Sequence, residues 1–549
     1  MLPVPAYVAD VAGVRAVDSW RGVMMGNLRS GWPSARRGAA IVVVGVLAVS
    51  AAIAAPASAK SKDSATQTTT TTTSPSTVLP VGSMASVVDQ IGARSLWKQG
   101  ITGRGVSVAV IDTGVAPVPA LSGPDKVIAK VDLSGEAGVP EATYLDTFGH
   151  GTHITGIIAG RDPGVDPKTA TADATQFLGV APDAAIVAVK VGDNTGAVDV
   201  SQVIAGIEWV IEHKDALGIR VLNLSYGVNP NQSYNIDPLS YAVERAWRAG
   251  IVVVGAVGND GKAMHTVANP AIDPFVLAVG AAEWTGSGWK TPSFASSGDK
   301  HIRIPDLAAP GTHIDSLRDP GSRIDVEHPE GYVSPTLFRG SGSSQATAVV
   351  SGAAALLLSA YPALTPDQVK SVLVSSTTPI SGGNPLITGK GVVNVAAAAA
   401  AVPAVSASTQ TWAPSLGTGS LETARGAEHL VRNGTAVTGE VAVNGASWTG
   451  ASWTGASWTG GIWNGASWTG ASWRGASWTG ASWTGASWTG ASWTGASWTG
   501  ASWTGASWTG ASWTGASWTG ASWTGASWTG ASWTGASWTG ASWTGAGWQ

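Results

Sequence analysis

The feature that most constrains the fold is a series of apolar runs of strand length that alternate with stretches of helical periodicity. A strand that is apolar along its whole length is buried on both faces, as in parallel sheets covered by helices. Strands that alternate with helices predict an α/β fold with a doubly wound, mostly parallel sheet. The candidate strands are residues 106–111, 186–191, 221–224, 251–254 and 275–279.

The stretches between these runs carry helix signals. Residues 203–211 have helical periodicity after Ser201, which we expect to cap that helix. Residues 239–247 show the same periodicity. Thr365 and Gln368 have the spacing of a capping box at the start of a later helix.

The first apolar run ends in Asp112-Thr-Gly. In doubly wound sheets active sites collect at the carboxyl ends of strands, which is where Asp112 stands. An Asp-Thr-Gly triplet is also compatible with a simple Asp-capped turn. Aspartic proteases use the same triplet, but they need two such carboxylates on an antiparallel β fold. This chain has a single copy in α/β surroundings, which argues against that class.

A second segment, FGHGTHITG at 148–156, places His150 between two glycines at the start of a helix-compatible run. We therefore expect His150 to face the strand end that bears Asp112. The pair His150 and His153 also raises metal ligation as an alternative. The acidic third ligand of a His-Glu-x-x-His site is missing, so we discount zinc.

A third segment, GSSQA at 342–346, introduces a long apolar helix. A serine in the first turn of a helix points its own N–H at a ligand, and the helix dipole favours negative charge there. Serine is also a common N-cap, so Ser344 alone does not decide between a structural and a catalytic role.

Taken in the order Asp, His, Ser, the three segments resemble the signature blocks of the subtilisin-like (subtilase, S8-type) serine endopeptidases. The resemblance covers about residues 83–400. It implies that Asp112, His150 and Ser344 form a catalytic triad. It also implies that Asn259, in the segment VGAVGND, completes the oxyanion hole.

The resemblance further implies a cleft that binds polypeptide substrates in extended form by β-augmentation. The substrate-binding residues that we expect are Leu224, Ser225, Tyr226, Gly227, Ala256 and Gly258. The serine block departs from the usual G-T-S-M-A-x-P of the family at Ser343, Gln345 and Ala348, none of which removes the nucleophile. No cofactor is expected. We predict no metal site, since residues 162–174 lack the regular calcium loop of many relatives.

The N-terminal part has the pattern of a secretory signal within residues 1–59: a basic pair, an apolar run at 39–55 and an Ala-x-Ala site that predicts cleavage after Ala59. Met24 or Met25 is a more ordinary start than Met1. The alternative is a membrane anchor, but the run is shorter than the roughly 20 residues that a span needs, so no stable span is expected after cleavage. Residues 60–82 are Thr-rich and predict a linker.

The C-terminal part consists of a predicted connector, 401–445, and a repeat of Ala-Ser-Trp-Thr-Gly over 446–549 that supplies most of the chain's 29 Trp. A period of five matches neither helix nor strand. A β-rich coil with a Trp ladder and a disordered tether both remain open. Because exposed aromatic rings stack on sugars, the repeats suggest binding to cell-wall carbohydrate.

Bulk composition excludes several classes of function. A formal net charge of −4 provides no basic field for nucleic acid, and the absence of cysteine excludes disulfides and a cysteine nucleophile. The sequence therefore predicts a secreted serine endopeptidase, with cell-wall association as a further hypothesis. The alternative is a catalytically silent subtilase scaffold that attaches to the wall through its Trp repeats.

Overall fold

The structure is a computed structural model that describes residues 79–443, except positions 138, 140, 141, 230, 264, 265, 405–408, 428, 433 and 434. Beyond 443 it describes the short strands of the repeat region and a few residues between them. The predicted signal region 1–59, and the predicted linker up to residue 78, lie outside the described residues.

Helices and strands alternate through the first half of the described chain. In chain order they are α1 (Met84–Gln90), α2 (Ala93–Lys98), β1 (Ser107–Asp112), β2 (Val127–Asp132), α3 (His150–Ala159), β3 (Ala185–Lys190), α4 (Val200–Leu217), β4 (Ile219–Leu224), α5 (Pro238–Arg248) and β5 (Val252–Ala256).

The second half adds the edge of the sheet, a small hairpin region and the longest buried helix. Its elements are β6 (Leu277–Trp284), β7 (Trp289–Lys290), β8 (Leu307–Pro310), β9 (Ile314–Leu317), α6 (Arg323–Glu327), β10 (Tyr332–Ser334), β11 (Leu337–Gly340), α7 (Ser343–Ala360), α8 (Pro366–Ser375), α9 (Pro385–Thr388), α10 (Val395–Ala401), α11 (Leu421–Ala424), β12 (Val431–Arg432) and β13 (Thr435–Ala436). Short 3₁₀ turns lie at Pro119–Leu121, Pro329–Gly331 and Val402–Ala404.

The central sheet has the order β2-β3-β1-β4-β5-β6-β7, and β8 also pairs with β6. Its strands are parallel except for β7, which pairs antiparallel with β6. The five predicted strands correspond to β1, β3, β4, β5 and β6, and every residue of β1 is buried. The predicted α/β fold with a mostly parallel sheet is confirmed. The edge strand β2 escaped prediction because its residues are half-buried or exposed.

Helix α7 packs across β4, β5, β6 and β8 and is buried over most of its length. By length and composition it is the one helix among the described residues that could cross a membrane, but it is a core helix of this fold. Its continuous apolar sequence is explained by burial on all sides.

The predicted caps are partly confirmed. Thr365 and Gln368 form the expected capping box of α8. Ser201 does not cap α4: Asp199 does, and its Oδ1 accepts the Ser201 N–H at 2.9 Å. A carboxylate at the N-cap also interacts favourably with the helix dipole, which explains why Asp199 takes the position.

The described part of the predicted connector, 401–445, packs against the body of the fold. Leu421 and Ala424 of α11 are fully buried, and α11 packs against α4 and α5. These two apolar residues and the buried Arg425 hold this part of the predicted connector in place.

The repeat region forms short strands in a regular coil, and they pair in parallel except for the first two, which pair antiparallel. They begin with Ser447–Trp448 and Trp453–Thr454, continue in each pentapeptide from Ser457–Thr459 to Ser542–Thr544, and end with Gly547–Trp548. Strands 20 residues apart pair in register, for example Trp478 with Trp498, so four pentapeptides complete one turn. A period of five therefore fits a four-sided coil, although it fits no single helix or strand.

Tryptophan rings stack inside this coil. The rings of Trp498 and Trp518 are parallel, with centroids 4.9 Å apart and an interplanar angle of 5°. Trp498, Trp513, Trp518 and Trp523 are all buried. The described part of the coil thus has the predicted Trp ladder, and these four rings are not available to stack on a sugar.

Candidate active site

The last residue of β1, Asp112, is bonded to the first residue of α3. Asp112 Oδ1 accepts from His150 Nδ1 at 2.8 Å and from the Thr113 N–H at 2.8 Å. Gly149 precedes the helix with φ +104°, which an L side chain rarely adopts, and a Cβ there would collide with Ser322. The glycine therefore lets the chain turn sharply enough to bring His150 to the end of β1.

The surroundings of His150 tune its basicity. Burial by itself lowers the pKa of His150, but the charge of Asp112 and its hydrogen bond outweigh burial, and the pKa is raised above its usual value. His153, the other imidazole of this helix, has its pKa lowered to about 3 by burial and by His150. His153 is therefore neutral at neutral pH.

Sequence reasoning missed Asp146, which holds the His150 loop in place. Asp146 Oδ1 accepts from the Gly149 N–H and from Thr113 Oγ1, each at 2.7 Å, and its Oδ2 accepts from the Thr152 N–H at 2.6 Å. Burial raises the pKa of Asp146, while these hydrogen bonds oppose the rise. The available signal was an acidic residue shortly before a helix N-terminus, where carboxylates bind free N–H groups.

The serine that the sequence singled out stands at the start of a helix that runs beside α3. Ser344 is the second residue of α7, and α7 packs against α3. The side chains of Gln345 and His153 both reach Gly340, and Gly352 lies against Ile158. The two helices therefore run in the same direction, and His150 and Ser344 stand at the same end.

The Ser344 hydroxyl donates to the Ser225 carbonyl at 3.4 Å. Among the hydrogen bonds of the described residues, none joins Ser344 to His150. Ser225 Oγ donates in turn to the Ser344 carbonyl at 3.0 Å and accepts from Asn223 Nδ2 at 3.0 Å. These bonds fix the end of β4 to the first turn of α7.

The loop after β5 brings Asn259 to the same turn. The Ser343 N–H donates to Asn259 Oδ1 at 2.7 Å, and the Gly258 N–H donates to Ser343 Oγ at 3.2 Å. Because Oδ1 accepts this bond, the Nδ2 end of the exposed Asn259 amide is the donor that faces away from it. The Ser344 N–H is among the first N–H groups of α7, which have no partner within the helix.

The other predicted substrate-binding residues lie along the ends of β4 and β5. Ser225 and Tyr226 are half-buried, and Gly227 is exposed. Gly258 is half-buried. Leu224 and Ala256 are buried as the last residues of their strands, so their side chains do not face the cleft directly.

Two chain segments flank Asp112 at the carboxyl edge of the sheet. Since β1 lies between β3 and β4, residues 192–199 stand on one side and residues 225–229 on the other; we call them the β3 wall and the β4 wall. In the β3 wall, Gly196 lies against the ring of Phe148, two residues before His150. We call the space between the two walls, at the end of β1 that bears Asp112, the cleft.

The part of the chain that the structure describes contains no group of three or more His, Asp or Glu side chains arranged to hold a metal ion. The expectation that the chain works without a metal or another cofactor stays a prediction.

Comparison with known proteins matches the same region. The model of the subtilase family matches residues 103–419. Serine protease AprX of Bacillus subtilis (strain 168) is 36% identical over 307 residues, which cover 54% of this chain and 66% of AprX. A subtilisin of Bacillus pumilus is 38% identical over 316 residues, which cover 57% of this chain and 97% of that protein.

One solved structure that the chain resembles is fervidolysin from Fervidobacterium pennivorans, described as a keratinolytic enzyme related to subtilisin. The sequence identity is 28%, the TM-score is 0.46, and the match covers 57% of this chain and 45% of fervidolysin. The chain thus spans just under two thirds of AprX and less than half of fervidolysin.

Proposed function

Since this chain belongs to the subtilase family of serine endopeptidases, we propose that it hydrolyses peptide bonds in polypeptides through an Asp112–His150–Ser344 triad and an acyl-enzyme intermediate. The observation that carries the proposal is the 2.8 Å hydrogen bond between Asp112 and His150, at the start of a helix whose neighbour α7 has Ser344 in its first turn.

The roles follow from the chemistry of each group. A hydroxyl is a weak nucleophile at neutral pH and needs a base at hydrogen-bonding distance. His150 can take the proton of Ser344 through Nε2, since Asp112 holds Nδ1 and thereby fixes the tautomer. A change of rotamer moves the Ser344 hydroxyl from the Ser225 carbonyl towards His150, and catalytic hydrogen bonds of this kind often tighten only with substrate present.

The negative charge that develops on the substrate carbonyl needs donors that are already in position. The Ser344 N–H and Asn259 Nδ2 are the two groups available, and the bond from Ser343 to Asn259 Oδ1 orients the amide for this role. Donors held rigidly in this way stabilise the transition state more than water does, because they need no reorganisation.

The substrate would lie extended between the two walls. Residues 225–227 follow the end of β4, and the chain next forms a backbone bond where the Val228 N–H donates to the Asn269 carbonyl at 3.1 Å. An extended peptide can pair with 225–227 as an added strand, which would fix the cleaved bond beside Ser344. Such main-chain pairing supports a broad class of polypeptide substrates.

The proposal also includes secretion of the chain and its attachment to the cell wall. The signal pattern of residues 1–59 supports export, and N-terminal sequencing of the secreted form should begin at Lys60. For the repeats, exposed hydroxyls such as those of Thr519, Thr524 and Ser527 support hydrogen bonding to wall carbohydrate, in place of ring stacking. We expect the full-length chain to be retained on purified cell wall, and a chain truncated after residue 445 to lose this retention.

The peptidase proposal is tested with Ser344→Ala against Ser341→Ala, its matched control. Ser341 is an exposed serine just before α7 whose hydroxyl accepts the His313 N–H at 2.8 Å. We expect Ser344→Ala to lose peptide hydrolysis while Ser341→Ala keeps it. Hydrolysis retained in Ser344→Ala would indicate another nucleophile, and no hydrolysis by the unaltered chain would support the silent-scaffold alternative.

A further inference from the structure

Residues 415–443, of which 428, 433 and 434 lie outside the described residues, are bonded both to the β3 wall and to the loop that follows the β4 wall; we call this segment the strap. Its first part is fixed to the loop that continues the β4 wall into α5. Ser415 Oγ donates to the carbonyl of Asp237, the cap of α5, at 3.0 Å. Two further backbone bonds follow, Leu416 N–H to Asn235 O at 2.7 Å and Gly419 N–H to Ile236 O at 2.6 Å.

The second part of the strap is fixed to the end of the β3 wall. Arg425 Nε pairs with Asp199 Oδ2 at 2.6 Å, and both side chains are fully buried. Nη2 also donates to Asp199 Oδ1 at 3.4 Å, and within the strap the guanidinium donates to the carbonyls of Gly439 and Val441 at 2.5 Å each and to Glu422 at 3.2 Å. Arg425 therefore organises the strap and attaches it to Asp199 at the same time.

The strap also meets the β4 wall directly. Gly426, with φ +68°, lies so close to Asn229 that a Cβ would stand 2.6 Å from the Asn229 carbonyl oxygen. Tyr226, a predicted substrate-binding residue, directs its hydroxyl into this region, where it is buried and has no partner among the described residues. Burial raises the pKa of Tyr226, and the nearby carboxylates of Asp199 and Asp237 raise it further.

We propose that the strap is a specificity element of the cleft: by joining Asp199 on the β3 wall to Asn229 on the β4 wall, it fixes the spacing of the walls and closes one end of the cleft. It thereby sets how much of an extended polypeptide the enzyme binds on that side of the cleaved bond. The inference rests on the proposed peptidase function and adds to it a second determinant of substrate length.

The energetics of the buried Arg425–Asp199 ion pair support this role of the strap. A buried charge that loses its partner is strongly destabilising, so the strap responds to loss of the ion pair by detaching from the wall rather than by a small adjustment. Contacts with remote parts of a substrate supply binding energy that is used at the reacting bond. Detachment should therefore affect long substrates and spare short ones.

The test uses Asp199→Asn in the full-length chain. Asparagine caps helices as well as aspartate does, so α4 keeps its cap while the ion pair with Arg425 loses its charge. The measurement is kcat/KM for chromogenic peptides that extend by one to five residues on the acyl side of the cleaved bond. We expect the variant to lose about tenfold in kcat/KM on the longest peptide, mainly through KM, and to match the wild type on the shortest.

The matched control is Asp306→Asn, which breaks a different ion pair with arginine, one that is only partly buried. Arg303 Nη2 pairs with Asp306 Oδ2 at 2.7 Å near the amino end of β8, at the edge of the sheet opposite the cleft. This control should lower stability without changing the dependence on peptide length. A loss of equal size at every length in Asp199→Asn, or no loss at any length, would overturn the inference.

A second variant covers the case in which Asp199→Asn does not fold. Ser201→Ala removes the hydroxyl that accepts the Val443 N–H at 3.1 Å, the last contact of the strap, and that donates to Asp199 Oδ1, while both charges of the ion pair remain. Ser201→Ala should show a smaller loss of kcat/KM with the same dependence on peptide length. If this length dependence is absent, the result counts against the inference. If the wild type itself cleaves no peptide, the proposed function fails; if only the length dependence is missing, the strap inference alone fails.

Discussion

The backbone N–H of Ser343 donates to Asn259 Oδ1 at 2.7 Å, so that one hydrogen bond joins the first turn of α7 to the loop after β5. The amide can then donate only through Nδ2. Ser343, which precedes the proposed nucleophile Ser344, thus orients the side chain that would stabilise the oxyanion.

The first prediction concerns this amide. Asn259→Ala should lower kcat about 10²–10³-fold, which corresponds to about 2.7–4 kcal/mol of transition-state stabilisation, with little change in KM. Steady-state kinetics on a peptide substrate measures both constants. Asn384→Ala, which removes an asparagine that caps the remote α9, is the control and should leave kcat unchanged. An unchanged kcat in Asn259→Ala would remove it from the site.

The second prediction concerns the pH dependence of kcat/KM. His150 acts as a base only when it is neutral, and its pKa is raised because Asp112 outweighs burial. The acidic limb of the profile should therefore lie above the usual pKa of histidine, near 6.5. Asp112→Asn removes the cause of the rise, so the limb should move to lower pH, and kcat should fall by about 10⁴-fold with the loss of the correct tautomer.

The same shift predicts a change in stability. The pKa of His150 is higher in the folded state, so the stabilisation by its bond to Asp112 is fully present below the unfolded pKa and is lost as pH rises through the folded pKa. Urea unfolding of wild type and Asp112→Asn should therefore differ most on the acidic side of this window. A difference that grows with pH would contradict this assignment.

The third prediction concerns Asp146 as a positioning residue. Asp146→Asn replaces one of the two carboxylate acceptors by a donor, which then faces either the Gly149 or the Thr152 N–H, so stability should fall by about 1–3 kcal/mol. Because His150 would lose its fixed position, kcat should fall more than KM rises. Asp306→Asn, the control for a buried carboxylate, should lose stability with kcat retained.

The fourth prediction concerns the buried Tyr226 hydroxyl, which has no partner among the described residues. Tyr226→Phe removes a buried polar group whose desolvation is uncompensated, so the free energy of unfolding should rise by about 1 kcal/mol. Thermal or urea unfolding measures the change. A loss of stability of similar size would mean that the hydroxyl is bonded after all.

The fifth prediction concerns the Trp ladder. The ring of Trp518 stacks on Trp498 and meets Trp513 and Trp523 edge to face, at 6.3 and 6.2 Å. Trp518→Ala should destabilise the coil locally by about 3–5 kcal/mol, seen as faster hydrogen exchange in neighbouring repeats. Thr519→Ala, at an exposed position, is the control and should leave exchange unchanged. Equal exchange in both variants would argue against a packed ladder.

The parts of the fold that depend on local pattern could be predicted from the sequence. The strand ahead of Asp112, the helix at His150 and the helix at Ser344 all follow from apolar periodicity and glycine placement. Other features depend on contacts distant in sequence. The positioning role of Asp146 follows from its hydrogen bond to Thr113, which is 33 positions away in the sequence.

The strap is a clearer example of a feature that local sequence patterns do not predict. Arg425 and Asp199 are 226 positions apart, and neither position carries a local signal for a buried ion pair. The proline and glycine of this segment predict a connector, and only the tertiary partners of Leu421 and Arg425 show how it packs on the fold. The structure of the repeats likewise depends on pairing between strands that are 20 residues apart, which the period of five alone does not predict.

The most direct test of the triad is the site and rate of labelling by a fluorophosphonate, mapped by mass spectrometry on the full-length chain. The account predicts a single adduct on Ser344, formed at a rate that rises with pH through the raised pKa of His150 and falls sharply in His150→Ala. An adduct on another residue, or an equal labelling rate in His150→Ala, would contradict it.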